Sequence, residues 1–112
     1  MRDCRLYLRD ILAAVGSIET FTAGMEFEAF KTDDKTVSAV LRKFEIIGEA
    51  TKQIPAEIRR NYSHVPWKEM AGMRDRLIHF YFGVDYQLVW AVIKQRLPQL
   101  KSWVQEILDQ SG

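Results

Sequence analysis

The chain carries a single cysteine, Cys4, so no disulfide can close within it, and a reducing compartment suits it. Its only histidines are His64 and His79, and with Cys4 they are not spaced as a zinc site, so no metal and no cofactor are expected. No Gly-rich phosphate loop occurs, which argues against nucleotide hydrolysis. Charge of one sign is lacking too: 16 Lys and Arg face 15 Asp and Glu, a net charge of +1. Overall charge therefore gives no pull toward nucleic acid, and any RNA contact must come from a local basic cluster. No apolar run approaches the length of a membrane span. The opening Met1-Arg2-Asp3-Cys4-Arg5 leads into an amphipathic pattern and not into the apolar core of a signal peptide. The expectation is a cytoplasmic protein without a membrane association. Strand-like alternation, repeats and low-complexity segments are absent as well.

What is present is ordinary for a folded chain: 47% of residues are apolar and 28% charged. At 112 residues, one domain over 1–112 with one real core is expected. The periodicity is helical almost throughout. From Tyr7, the apolar residues Leu8, Ile11, Leu12, Val15 and Ile18 fall on one face, and this helix should fade near Thr22 to Gly24. A short amphipathic piece follows over Glu26 to Lys31, with Phe27 and Phe30 on one side. Asp33 and Asp34 are natural N-caps for a helix striped by Val37, Val40, Leu41, Phe44 and Ile47, which should stop near Pro55. Gly48 lies on that stripe. A glycine inside a helix costs about 1 kcal/mol relative to alanine, which points to close approach of another backbone.

Pro55 suits the first turn of a short helix through Arg60, and Pro66 that of one running through Trp67 toward Leu77. Asn61-Tyr62-Ser63-His64 reads as the connection between them. Gly83 marks a turn, and Asp85 caps a last long helix striped by Val89, Ile93, Leu97, Leu100, Val104, Ile107 and Leu108. Pro98 inside it predicts a kink or a break. The fold class is all-α: a bundle of two long antiparallel hairpins with short helices between them.

The stretch Met73-Arg74-Asp75-Arg76-Leu77-Ile78-His79-Phe80-Tyr81 concentrates chemistry. Arginine is a permanent cation that grips phosphate through a planar fork. Histidine gives and takes protons near neutral pH. Together they suffice for cleaving a phosphodiester without a metal. On a regular helix, however, residues five apart lie about 140° apart around the axis, so Arg74 and His79 would not share a face. Either the helix ends or loosens before His79, or the two meet across a subunit boundary. The bland alternative is a solvated face of Arg74, Asp75 and Arg76, with His79 capping a helix C-terminus. Arg76 reads equally as a phosphate contact or a surface charge. Glu49 either orients His79 or Arg74, or is a solvated acid paired with Lys52 or Arg42. His64 reads as a loop residue. Tyr7, Tyr62, Trp67, Trp90 and Trp103 read as packing residues, and Arg59-Arg60 as a helix surface that could also steer RNA.

The segment Arg74-x4-His79-x-Tyr81 resembles the signature of the HEPN ribonucleases, in particular the HepT-like toxins. Arg42-Lys43-Phe44-Glu45-Ile46-Ile47-Gly48-Glu49-Ala50 resembles that family's Gly-Glu-Ala helix. Val65-Pro66-Trp67 through Arg74-Asp75 resembles its Pro-Trp lead-in to the arginine, with Asp75 as the polar residue that follows. Tyr81 through Trp90 and Leu97-Pro98 resemble its closing segment. The resemblance implies a HEPN-type helical bundle and a metal-independent endoribonuclease that works as a homodimer. It implies that Arg74 and His79 of both subunits line one cleft, with Asp75 and Glu49 supporting and Arg76 on an RNA phosphate. It further implies a toxin–antitoxin pair whose partner, a minimal nucleotidyltransferase, adds adenylyl groups to Tyr81. The rival reading is a non-catalytic helical binding or dimerisation module of the same fold.

Overall fold

A computed structural model of the chain describes residues 3–79 and 83–111, with His79 by its backbone alone. The order is α1 (Cys4–Thr22), α2 (Phe27–Thr32), α3 (Asp34–Lys52), α4 (Ala56–Asn61), α5 (Trp67–Ala71), α6 (Met73–Leu77), β1 (Ile78–His79), β2 (Gly83–Val84), α7 (Tyr86–Ala91), a π-helical segment (Val92–Arg96) and α8 (Leu97–Gln110). The fold is an all-α bundle, as the periodicity predicts.

The first hairpin is α1 against α3. The start of α1, at Tyr7 and Asp10, shares a groove with the end of α3, at Ala50 and Gln53, so the two helices run antiparallel. Their facing stripes are sealed: Leu8, Ile11, Val15 and Ile18 on α1, and Val40, Phe44 and Ile47 on α3, have no exposed surface. Burying a side chain of this size stabilises the fold by about 1.5–3 kcal/mol. Both helix starts carry acidic caps. Asp3 accepts from the Arg5 backbone N–H at 2.9 Å and from its guanidinium at 2.7 Å. The bond to the Arg5 side chain is the main cause that draws the Asp3 carboxyl down to about 2. Asp33 accepts from the Thr36 N–H at 3.0 Å, and that bond lowers its pKa too. Asp34 is the first residue of α3 rather than its cap. After α1 the chain turns at Gly24, whose φ of 75° lies in the left-handed region that glycine enters freely.

The second hairpin sets residues 62–77 against residues 85–110. Tyr62 Oη donates to Gln110 at 2.6 Å, His64 Nε2 lies 3.0 Å from Glu106 Oε1, Arg96 Nη2 donates to Glu69 at 3.1 Å, and the Asp85 N–H donates to the Leu77 carbonyl at 3.0 Å. As one arm advances the other retreats, which makes the pair antiparallel. Its first arm is not the single helix that Pro66 predicts. It breaks at Gly72 into α5 and α6, and α6 ends at Leu77, where Ile78 turns extended. The chain then forms a two-residue ladder, Ile78 opposite Val84 and His79 opposite Gly83. A ladder so short carries no alternation that a sequence pattern can reveal.

The second arm departs from a regular helix as well. Pro98 is the second residue of α8, and because α8 continues directly from helical residues, the N–H that proline lacks leaves the preceding turn one hydrogen bond short. The disturbance lies just upstream, as the π-helical turn Val92–Arg96. A proline cannot donate to the preceding turn, and a widened turn is one way to accommodate it. Beyond it, Leu97, Leu100, Val104 and Ile107 are again fully buried.

Two side chains tie the short helices down. Arg59 donates to the carbonyls of Ile54 at 3.0 Å and Thr51 at 2.9 Å, satisfying the open end of α3 with a cation, where the helix dipole favours one. Trp67 is buried and donates its indole N–H to the Tyr62 carbonyl at 3.0 Å.

Candidate functional site

The site begins with a missing side chain. Gly48 is buried in α3, and a Cβ built there would lie 3.0 Å from the Ala71 carbonyl oxygen. Only glycine lets the end of α5 approach α3 so closely, so the crossing inferred from the sequence is real and Ala71 is its other side. One turn back along α3 stands Glu45, and three residues on from Ala71 stands Arg74. The two side chains meet, with Arg74 Nε 3.1 Å from Glu45 Oε2. Glu45 uses its other oxygen, Oε1, to accept from Arg42. Arg74 keeps 46% of its side-chain surface exposed, and its Nη1 reaches Asp75 Oδ1 only at 4.0 Å.

Around this pair opens a cleft of about 190 Å³ lined by Glu45, Gly48, Glu49, Lys52, Ala71, Arg74 and Asp75. Its described lining holds two cations, Lys52 and Arg74, and three carboxylates, Glu45, Glu49 and Asp75. A single chain therefore offers phosphate a directed guanidinium but not a basic surface. Among the described residues no cluster of His, Cys, Asp and Glu is placed to hold a metal ion, and no helix is long and apolar enough to cross a membrane.

The helix that carries Arg74 ends before His79, which is one of the two conditions set for the pair to act together. Arg74 is the second residue of α6, the helix stops at Leu77, and His79 belongs to the ladder. The His79 side chain and the whole of Tyr81 lie outside the described residues. Asp75 is next to Arg74 and 81% exposed. Glu49 lines the cleft but points to Lys52, at 3.4 Å, and is itself mostly exposed. The carboxylate on Arg74 is Glu45. It stood within the quoted Gly-Glu-Ala segment, and its spacing of one turn from Gly48 was the available signal. Arg76 is placed elsewhere. Two residues from Arg74 on one helix, it faces the other way and pairs with Glu69 at 2.9 Å, where Arg96 also binds at 3.1 Å.

The aromatic residues named from the sequence make packing contacts. Trp90 lies 5.1 Å from Phe30 and 6.3 Å from Phe27 between ring centroids, with Lys94 4.7 Å above it. Arg96 lies over Trp103 at 5.9 Å. Tyr7 and Tyr62 are half-buried against the core.

Comparison with known proteins gives one consistent result. A family model described as ribonuclease HepT-like matches residues 11–107. A presumed RNase of Methanocaldococcus jannaschii is 48% identical over 107 residues, which cover 96% of this chain and 88% of that protein. A presumed ribonuclease HepT of Thermococcus cleftensis is 50% identical over 100 residues, covering 89% of this chain and 91% of the relative. A presumed RNase of Caldanaerobacter subterraneus subsp. tengcongensis is 46% identical over 108 residues, 96% of each chain. No solved structure gives a significant match.

Proposed function

This chain belongs to the HepT-like ribonuclease family, and from that premise we propose that it is a metal-independent endoribonuclease acting through Arg74 and His79. The observation that carries the reading is the end of α6. It leaves Arg74 half-exposed in a cleft and lets the chain bring His79 up in extended backbone, off the helix face that would have kept them apart.

RNA supplies its own nucleophile. His79 takes the proton of the 2′-hydroxyl as that oxygen attacks phosphorus. The bond from phosphorus to the 5′-oxygen breaks, and the leaving oxygen is protonated by an imidazolium. The products are a 2′,3′-cyclic phosphate and a 5′-hydroxyl. Arg74 holds the nonbridging oxygens and stabilises the charge that builds on them. A homodimer gathers two copies of each residue, so that one His79 serves as base and the other as acid. The surplus of carboxylates in the cleft of one chain supports that assembly, because a second Arg74 there would strengthen the hold on phosphate. Asp75, exposed beside Arg74, and Glu49 at the cleft wall are supporting residues on this reading. Arg76 faces away from the cleft and is held by Glu69, so on this reading it meets only RNA that extends beyond the cleft.

We assign the protein further to a cytoplasmic toxin–antitoxin pair, with a minimal nucleotidyltransferase as the antitoxin and Tyr81 as the residue it adenylylates. The support is the position of Tyr81 two residues after His79. An adenylyl group there would fill space that RNA needs, and its phosphate would occupy Arg74 by the same electrostatics as phosphorylation. Mass spectrometry of the Tyr81 peptide after co-expression tests this part.

The activity itself is tested by incubating the purified protein with RNA in excess chelator, beside Arg74→Ala and His79→Ala. The wild type should cut, and each folded variant should lose roughly 100-fold or more, the scale on which acid–base groups contribute. A folded His79→Ala variant cutting at the wild-type rate would falsify its assignment. A folded wild type that binds RNA without cutting it would favour the non-catalytic module.

A further inference from the structure

We propose that Glu45 is a positioning residue for Arg74: it fixes the guanidinium so that its outer edge faces the cleft. The proposal rests on the ribonuclease reading and names a residue that reading did not use.

Among the described residues, Arg74 has little else to hold it. α6 is five residues long and has no side-chain cap, and a single turn is a poor frame for a long side chain. Glu45 is better anchored. It lies in the middle of the 19-residue α3, one turn from the point where Gly48 meets the Ala71 carbonyl. Both of its oxygens are engaged, Oε1 by Arg42 and Oε2 by Arg74 Nε. The carboxylate therefore cannot swing without giving up one of two cations.

The direction of the contact matters more than its strength. The approach of Glu45 is to Nε, the inner nitrogen of the guanidinium, rather than to a terminal one, which is the orientation that would present the Nη1 and Nη2 edge to another anion. Among the described residues, the acidic partner at Nη1 is Asp75 Oδ1, at 4.0 Å. A phosphate grip through both terminal nitrogens needs that edge free and its plane held, and on this proposal the ion pair at Nε does the holding. Arg42, Glu45 and Arg74 together keep a net positive charge, which Glu49 and Asp75 offset in the cleft of one chain. A long side chain set free would have to be ordered again at each turnover, which lowers the rate of the chemical step.

The opposite role for the same contact is competition, with Glu45 occupying Arg74 and excluding phosphate. The two differ in sign. Glu45→Ala, Glu45→Gln and the wild type are compared for kcat and KM on an RNA oligonucleotide, with folding checked by circular dichroism. The order parameter of the Arg74 Nε–H is measured in parallel by NMR. Positioning requires kcat to fall roughly 10- to 100-fold in Glu45→Ala with KM little changed. It also requires a mobile Arg74 side chain there, and substantial recovery of both in Glu45→Gln, which keeps a carbonyl oxygen in place. A folded Glu45→Ala variant that cuts at or above the wild-type rate overturns the proposal. So does an Arg74 side chain equally rigid with and without Glu45. If the wild type cuts no RNA, the ribonuclease reading is what fails, and the order parameter still decides whether Glu45 holds Arg74.

Discussion

The arms of the first hairpin, α1 and α3, run 19 residues each without interruption. Facing them, the arm from Tyr62 to Leu77 is built from a loop and two helices of five residues. The first hairpin is held by apolar stripes with no exposed surface, and its ion pairs lie at the rim. The second is also sealed, by Met70 and Leu77 on one arm and Val89, Leu97 and Leu100 on the other, and it adds discrete polar bonds between its arms, from Tyr62 and Gln110 at one end to Leu77 and Asp85 at the other. A continuous helix would have carried Arg74 and His79 on different faces. The broken arm ends the helix between them, and on the regular hairpin beside it Glu45 of α3 meets Arg74. The regular part is the longer helical frame, and the irregular part carries the residues proposed to act on RNA.

That contrast can be broken or sharpened by substitution. The largest effect on stability belongs to the first hairpin's core. Phe44→Ala should cost about 3–5 kcal/mol, read as a lower urea midpoint at unchanged slope. Gly48→Ala probes the junction of the two regions. Its Cβ would press on the backbone carbonyl of Ala71, which cannot rotate away, so a loss of about 1–3 kcal/mol is expected. Gly16→Ala in α1 is its counterpart. Nothing lies within 4 Å of the added Cβ, and a gain of about 0.5–1 kcal/mol is expected from helix propensity alone. If both glycine variants moved stability the same way, the close crossing at Gly48 would be wrong. The smallest effect concerns the cap of α3. The folded-state pKa of Asp33 is lowered below 3.8, so its stabilising contribution is fully present above that value. It should be lost as pH falls through the folded pKa, because the unfolded chain then binds more protons. Thermal melts from pH 5 downward should fall less steeply for Asp33→Asn, which keeps an uncharged acceptor at the cap.

The regular half was readable because its signals are local and repeated. The stripes from Leu8 to Ile18 and from Val37 to Ile47 mark their faces several times over, and Asp33 and Gly24 mark the ends. Gly48 was readable as an anomaly, a glycine where the pattern asks for bulk. The break at Gly72 was not, because a glycine is tolerated inside a helix and the apolar pattern continues through Met73 and Leu77. The ladder at Ile78 and His79 depends on Gly83 and Val84 folding back against it, a contact that no periodicity encodes. Pro98 announced a disturbance but not its form, since a kink, a break and a π turn all relieve the same lost hydrogen bond. At the candidate site, Arg74 and His79 were proposed from residue type and from the family resemblance, and of the two the structure describes the side chain of Arg74 alone. Glu45 was missed because a glutamate three residues from an arginine on an exposed helix reads as a surface pair. The contact that matters is made with α6, and only the fold brings α6 there.

The central claim is that the 2′-hydroxyl of RNA is the nucleophile and that no metal ion takes part. The most direct measurement uses one oligoribonucleotide with a mapped cut, and a second differing only by a 2′-deoxyribose in the nucleotide on the 5′ side of that cut. Both are incubated with the wild-type protein in excess chelator. Cleavage of the first at an undiminished rate, to a 2′,3′-cyclic phosphate and a 5′-hydroxyl, together with no cleavage of the second at that position, is the expected result. Cleavage of both, or activity that the chelator abolishes and a divalent ion restores, would contradict it.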